Sequence, residues 1–160
     1  MKPLFSGIVL AVTGSEASIL AAKYAIVMAK QQHCRLDAVY VVDTATIKQL
    51  TLHKIFIQEE SAEYEKSLEA NGIRYLAYVE ELAKAKDVKI EKEIRKGAVY
   101  TEIIHAADER KADLIILGGW EKDRSARDII SHTHHEIMVN AKCTVMTVKA
   151  PGIEQVYKKL

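Results

Sequence analysis

Short apolar runs alternate along this chain with longer stretches of helical period, and that alternation leaves few folds open. Residues 8–12 (Ile8-Val9-Leu10-Ala11-Val12) and 114–117 (Leu114-Ile115-Ile116-Leu117) are continuous apolar runs. They have the pattern of strands buried on both faces. Residues 36–42 and 143–148 are two further strands by the same reading. In 88–95, Val88, Ile90 and Ile94 alternate with Lys89, Glu91, Glu93 and Arg95, so this strand has one polar side. Lys92 interrupts its apolar face, which implies that the face is not buried along its whole length. The spacing predicts helices over 16–32, 57–86, 99–110 and 133–140. The resulting order, β-α-β-α-β-α-β-α-β, implies an α/β fold: a five-stranded parallel sheet with helices on both faces. Ligands on such sheets sit beyond the carboxyl ends of the strands, where the strand order reverses. Here those ends are Val12-Thr13-Gly14, Val41-Val42-Asp43, Lys96-Gly97 and Gly118-Gly119.

The helices carry finer signals. Ser15 is placed as the N-cap of the first, with Glu16 in its first turn. Ile19, Ala22, Ile26 and Ala29 share one face of it. In the long pattern from 57 to 86, Tyr64, Leu68, Tyr75, Leu76, Val79, Leu82 and Ala83 form the expected inner face. Gly72 lies inside that pattern, where glycine costs about 1 kcal/mol against alanine, and marks a bend or a break between two helices. Residues 44–54 are polar and mixed, with no clean period. The 160 residues fit one domain, with a core over about 5–149 and a short mixed tail over 150–160.

Bulk properties exclude some function classes. The chain has 23 Lys plus Arg against 22 Asp plus Glu, a formal net charge of +1. Nothing in that balance attracts nucleic acid or an anionic membrane. The two cysteines, Cys34 and Cys143, make no CxxC pair, which fits a reducing compartment. The first apolar run is too short for an export signal, and no run reaches the ~18 apolar residues of a membrane span. The expectation is a soluble, cytoplasmic protein.

One motif bears on ligand binding. Ala112-Asp113-Leu114-Ile115-Ile116-Leu117-Gly118-Gly119-Trp120 reads as a buried strand entering a glycine turn, and Ser131-His132-Thr133 reads as the start of a helix. Backbone N–H groups at such a helix N-terminus are how α/β proteins hold phosphate. These pieces resemble the universal stress protein family. Residues 8–18 resemble its first strand and turn, and Tyr40-Val41-Val42-Asp43 the end of its second strand. Residues 112–118 resemble its fourth strand and residues 141–148 its last, so the resemblance spans about 5–149.

That resemblance implies a Rossmann-like sheet of the adenine nucleotide α-hydrolase-like kind. ATP-binding members carry a glycine, a second three residues on, and a Gly-Ser or Gly-Thr pair after nine more. Here the first is Gly118, the second falls on Glu121, and the pair falls on Ser131-His132. The family's aspartate after the first strand falls on Thr13. Glu121 would set a negative charge beside a triphosphate unless turned away or holding Mg²⁺, while Lys122, Arg124 and Arg127 offset it. The chain looks closer to a branch that does not bind ATP, so no cofactor is expected. Were ATP or AMP to bind, the resemblance would place Val12, Thr13, Gly14, Val41, Gly118, Gly119, Ser131, His132 and Thr133 around it. The resemblance also implies a homodimer through the last strand, from Cys143 to Val148, acting in stress response through an unknown protein partner. No catalysis is expected. A synthetase-like enzyme of the wider group would need a Ser- and Gly-rich loop, and Thr13-Gly14-Ser15 is too thin for one.

Other residues have plainer readings. His132 and His135 share a helical face at a spacing that suits a metal, but no second set of ligands accompanies them. They read as polar residues around a helix N-terminus, whose dipole disfavours their charged form. Cys143 reads as a small packing residue, Ser15 as a cap rather than a nucleophile, and 122–127 as a solvated charged loop. Trp120, the one tryptophan, reads as a cover for the pocket mouth or a packing residue.

Overall fold

The computed structural model describes the backbone of residues 2–119 and 124–160, and the side chains of 2–119 and 132–160. Its elements are β1 (Gly7–Ala11), α1 (Glu16–Gln32), β2 (Arg35–Val42), α2 (Thr44–Leu52), α3 (Gln58–Lys84) and β3 (Ile90–Lys96). They continue with α4 (Val99–Glu109), β4 (Leu114–Gly118), α5 (Arg124–Asn140), β5 (Thr144–Val148) and α6 (Ile153–Lys159). The five strands form one parallel sheet in the order β3-β2-β1-β4-β5, with Val9 level with both Asp37 and Ile115. The order reverses between β1 and β4. Their carboxyl ends flank the crevice in which such sheets place ligands.

Alternation along the strands feeds two cores. Ile8, Leu10, Leu36, Leu114 and Ile116 face α1, α3 and α6. Val9, Val39, Ile115 and Leu117 face α4 and α5. Ser15 caps α1 as its position predicts, its hydroxyl accepting from Ser18 N–H at 3.1 Å.

Several elements differ from expectation, each for a local reason. The mixed stretch 44–54 contains α2, capped by Asp43, whose carboxylate accepts from both the N–H and the hydroxyl of Thr46. Gly72 does not break α3, which is one continuous helix: a Cβ there would run into the Tyr40 ring. The glycine makes room for a core aromatic. Tyr64, expected inside, is 44% exposed and meets Phe56 edge-on. The tail contains α6, whose Ile153 and Tyr157 enter the core. Tyr157 hydroxyl donates to Leu82 O at 2.6 Å, and Lys23 meets Glu154 at 2.7 Å.

Lys92 breaks the apolar pattern of β3 because β3 is an edge strand, and Lys92 reaches Glu80 of α3. The same edge carries a lattice of charges around Asp37, whose side chain is fully buried. Arg35 and Arg110 hold it at 2.9 and 2.8 Å, and Arg110 goes on to Glu93.

Candidate functional site

The crevice is built by the turn after β1, the end of β4 and a face of α5. The turn is largely self-satisfied. Ser18 hydroxyl accepts from Thr13 N–H at 2.8 Å, and the Thr13 and Ser15 hydroxyls share a bond of 3.0 Å. These hydroxyls fix the entry of α1, at the position where the resemblance sets the aspartate of ATP-binding members.

The glycine pair also serves packing. A Cβ on Gly118 would lie 2.9 Å from the backbone of Ala17 and Ser18, and one on Gly119 would lie 2.9 Å from Val148 O. Neither has a left-handed φ. Gly118 lets β4 run against the first turn of α1, and Gly119 lets the chain pass the end of β5.

The expectation that a helix begins at Ser131-His132-Thr133 is corrected. α5 begins at Arg124, so Ser131, His132 and Thr133 lie in its interior. Interior N–H groups are spent on carbonyls one turn back, and only the first four of a helix are free. The N–H groups at 131–133 therefore offer a phosphate nothing. The dipole effect expected on His132 and His135 lapses for the same reason. Trp120, Glu121 and Lys122, and the side chains of Arg124, Arg127 and Ser131, lie outside the described residues.

Sequence reasoning missed His134. It is 7% exposed, and its Nε2 lies 2.6 Å from Gly118 O. A carbonyl only accepts, so this nitrogen carries the proton and donates. The bond pins α5 across the end of β4. Ile130, His134 and Ile137 stand at i, i+4 and i+7 in the sequence. That pattern would have marked a helix face had the helix been read as starting earlier.

Below α5 lies a cavity of about 210 Å³. Thr13, Gly118, Gly119 and Thr133 of the expected site line it, together with His134. His132 turns instead to an adjoining hollow of about 720 Å³ between Asp43, Thr46 and Tyr100, where its ring meets Tyr100 edge-on. Three expected residues line neither space. Val12 is in the core, its N–H donating to Val39 O at 2.8 Å. Gly14 lies under the Tyr75 ring, and Val41 packs on the α4 side of the sheet.

Among the described residues, no group of three or more His, Cys, Asp or Glu is placed to hold a metal ion. Burial, then the charges of Asp108 and Asp113, push the Cys143 thiol up, which disfavours a reactive thiolate. Burial likewise raises Cys34, whose Sγ lies 3.0 Å from Phe5 O.

A parallel α/β sheet with its crevice at the strand-order reversal defines a class of small-ligand-binding folds. The universal stress protein family matches over residues 5–149, and the chain belongs to that family. It is 34% identical to universal stress protein MJ0531 of Methanocaldococcus jannaschii over 152 residues, 94% of this chain and 86% of that protein. Its fold is similar to that of a universal stress protein family member from Burkholderia pseudomallei. The TM-score is 0.72 at 21% identity, over 92% of this chain and 98% of the other. It is also similar to an Archaeoglobus fulgidus universal stress protein solved in complex with dAMP. There the TM-score is 0.63 at 14% identity, over 91% and 99% of the two chains.

Proposed function

We propose that this universal stress protein acts by binding rather than by catalysis, as a cytoplasmic homodimer in stress response, with no ATP in its crevice. The observation that carries the reading is the start of α5 at Arg124. It commits the backbone N–H groups of residues 131–133, on which the resemblance would set the phosphates, and His134 holds that helix on Gly118 O. The lack of a carboxylate at Thr13 and the bonding of the Thr13, Ser15 and Ser18 hydroxyls to one another point the same way. So does the single ionisable side chain, His134, among the described residues lining the cavity. No helix among the described residues is long and apolar enough to cross a membrane.

A second reading is a nucleoside monophosphate. The relative solved with dAMP favours it, and so does the hollow beside the crevice, which is larger than the cavity and is floored by Tyr100 and His132. Thermal unfolding with ATP, or with AMP, plus Mg²⁺ separates the readings. A ligand at 100 times its Kd adds about 2.7 kcal/mol, on the order of 5–10 °C in a domain this size. The expected outcome is no shift with either nucleotide. A shift with AMP alone would establish the second reading, and a shift with ATP would refute the first.

A further inference from the structure

Among the described residues, the cavity beneath α5 is walled mainly by hydrocarbon. Ala11, Val99, Ile103, Leu117 and Ile137 supply most of its lining. Among the described residues lining it none is Asp, Glu, Lys or Arg, so an ionised ligand would lose its hydration there with no opposite charge in return. Size narrows the class further. An engineered apolar cavity of ~150 Å³ takes up benzene, and this one, at about 210 Å³, has room for one ring and a substituent. It lies below the ~300 Å³ at which sites begin to enclose drug-sized ligands.

The Thr133 hydroxyl is placed to orient such a ligand. The Thr133 hydroxyl makes no hydrogen bond among the described residues. The opposite wall bonds mostly to itself: the Thr13 and Ser15 hydroxyls bond to each other, Ser15 accepts from Ser18 N–H, and the Ser18 hydroxyl accepts from Thr13 N–H.

We propose that this cavity binds a small neutral monocyclic compound of the phenol class. The ring lies among the five apolar side chains and the hydroxyl bonds to Thr133 Oγ1. The inference rests on the reading that the crevice holds no nucleotide.

Titration of the full chain with phenol, toluene and AMP in separate arms, followed in amide NMR spectra, tests it. Phenol is expected to give saturable shifts at Ala11, Leu117, Gly118 and Gly119. Thr133→Val, close to isosteric, should weaken phenol roughly 3- to 10-fold and leave toluene unchanged, as loss of one hydrogen bond does. Val99→Phe should fill the cavity and abolish both; if that variant misfolds, the phenol–toluene split in Thr133→Val still decides the matter. Absence of saturable shifts with millimolar phenol overturns the proposal, as does equal weakening of phenol and toluene by Thr133→Val. If phenol and AMP both fail, this proposal alone falls. AMP shifts at the same amides would instead sink the nucleotide-free reading.

Discussion

At the scale of single residues, glycine is where the sequence was least explicit, because it does not say what it makes room for. Gly118-Gly119 after an apolar run reads as a phosphate turn, yet the space each leaves is taken by protein. The physical consequence is testable at Gly118. Its φ is ordinary, so alanine there meets no backbone strain, and its cost is steric. The Cβ would stand 2.9 Å from the backbone of Ala17 and Ser18, which cannot rotate away as a side-chain tip could. Gly118→Ala should therefore destabilise by about 1–3 kcal/mol, the usual cost of overpacking. The readout is the thermal midpoint, expected to fall roughly 2–4 °C per kcal/mol. An unchanged midpoint would mean that β4 and α1 are not in contact at this point. His134 was hidden for a related reason. Within a helix taken to start at 133 it sits at the frayed end, and only the longer α5 brings it over Gly118.

At the scale of elements, the strands and α1 were legible because burial on two faces, or on one, leaves a period that a reader can count. The start of α5 was not, since residues 124–128 (Arg-Ser-Ala-Arg-Asp) show no apolar period and the resemblance sets a loop there. Nor was α6, a short helix whose stability comes from docking Ile153 and Tyr157 rather than from its own propensity. The tie between β1 and β4 shows how one side chain aligns two strands far apart in sequence. Asp113 accepts from Ser6 N–H and hydroxyl and from Gly7 N–H, while its own N–H donates to Gly7 O. Burial pulls its pKa up, but the Ser6 hydroxyl and the backbone N–H groups of Gly7 and Ser6 outweigh it, and the carboxyl lies below its ordinary value. A depressed folded-state pKa stabilises above the unfolded value of about 3.9 and is lost as pH falls through the folded one. Asp113→Asn should thus lower the thermal midpoint at neutral pH, and the gap to the unaltered protein should close as pH drops below about 4. A gap constant across that range would show that the charge is not what holds the two strands.

At the scale of the whole molecule, the two edges of the sheet differ in kind. β3 carries Glu91, Lys92, Glu93, Arg95 and Lys96, engaged in ion pairs with α3, with α4 and with Arg110 just after it. Charges along an edge are how sheets discourage further pairing. β5, Thr-Val-Met-Thr-Val, has none, and only Val148 of it is buried. Met138 and Val139, near the end of α5, are exposed by 53% and 65%. An uncharged edge strand, with exposed apolar side chains on the helix that leads into it, favours pairing with a second copy, whose twofold symmetry would set β5 against itself. Met146 is half-buried at this edge, packed against the core on its α1 side. In a monomer, lysine at 146 can carry its charge out to water along its stem. In a twofold β5 pair, two such charges would be held close together where water is excluded. Met146→Lys is therefore expected to yield a folded monomer, with the far-ultraviolet circular dichroism of the unaltered protein and half its mass by light scattering. The proposed dimer of the unaltered protein should also show a thermal midpoint that rises with protein concentration, and the variant should not. A dimer that survives the lysine would place the contact elsewhere on the surface, and a monomer before any substitution would remove the homodimer from the proposed function.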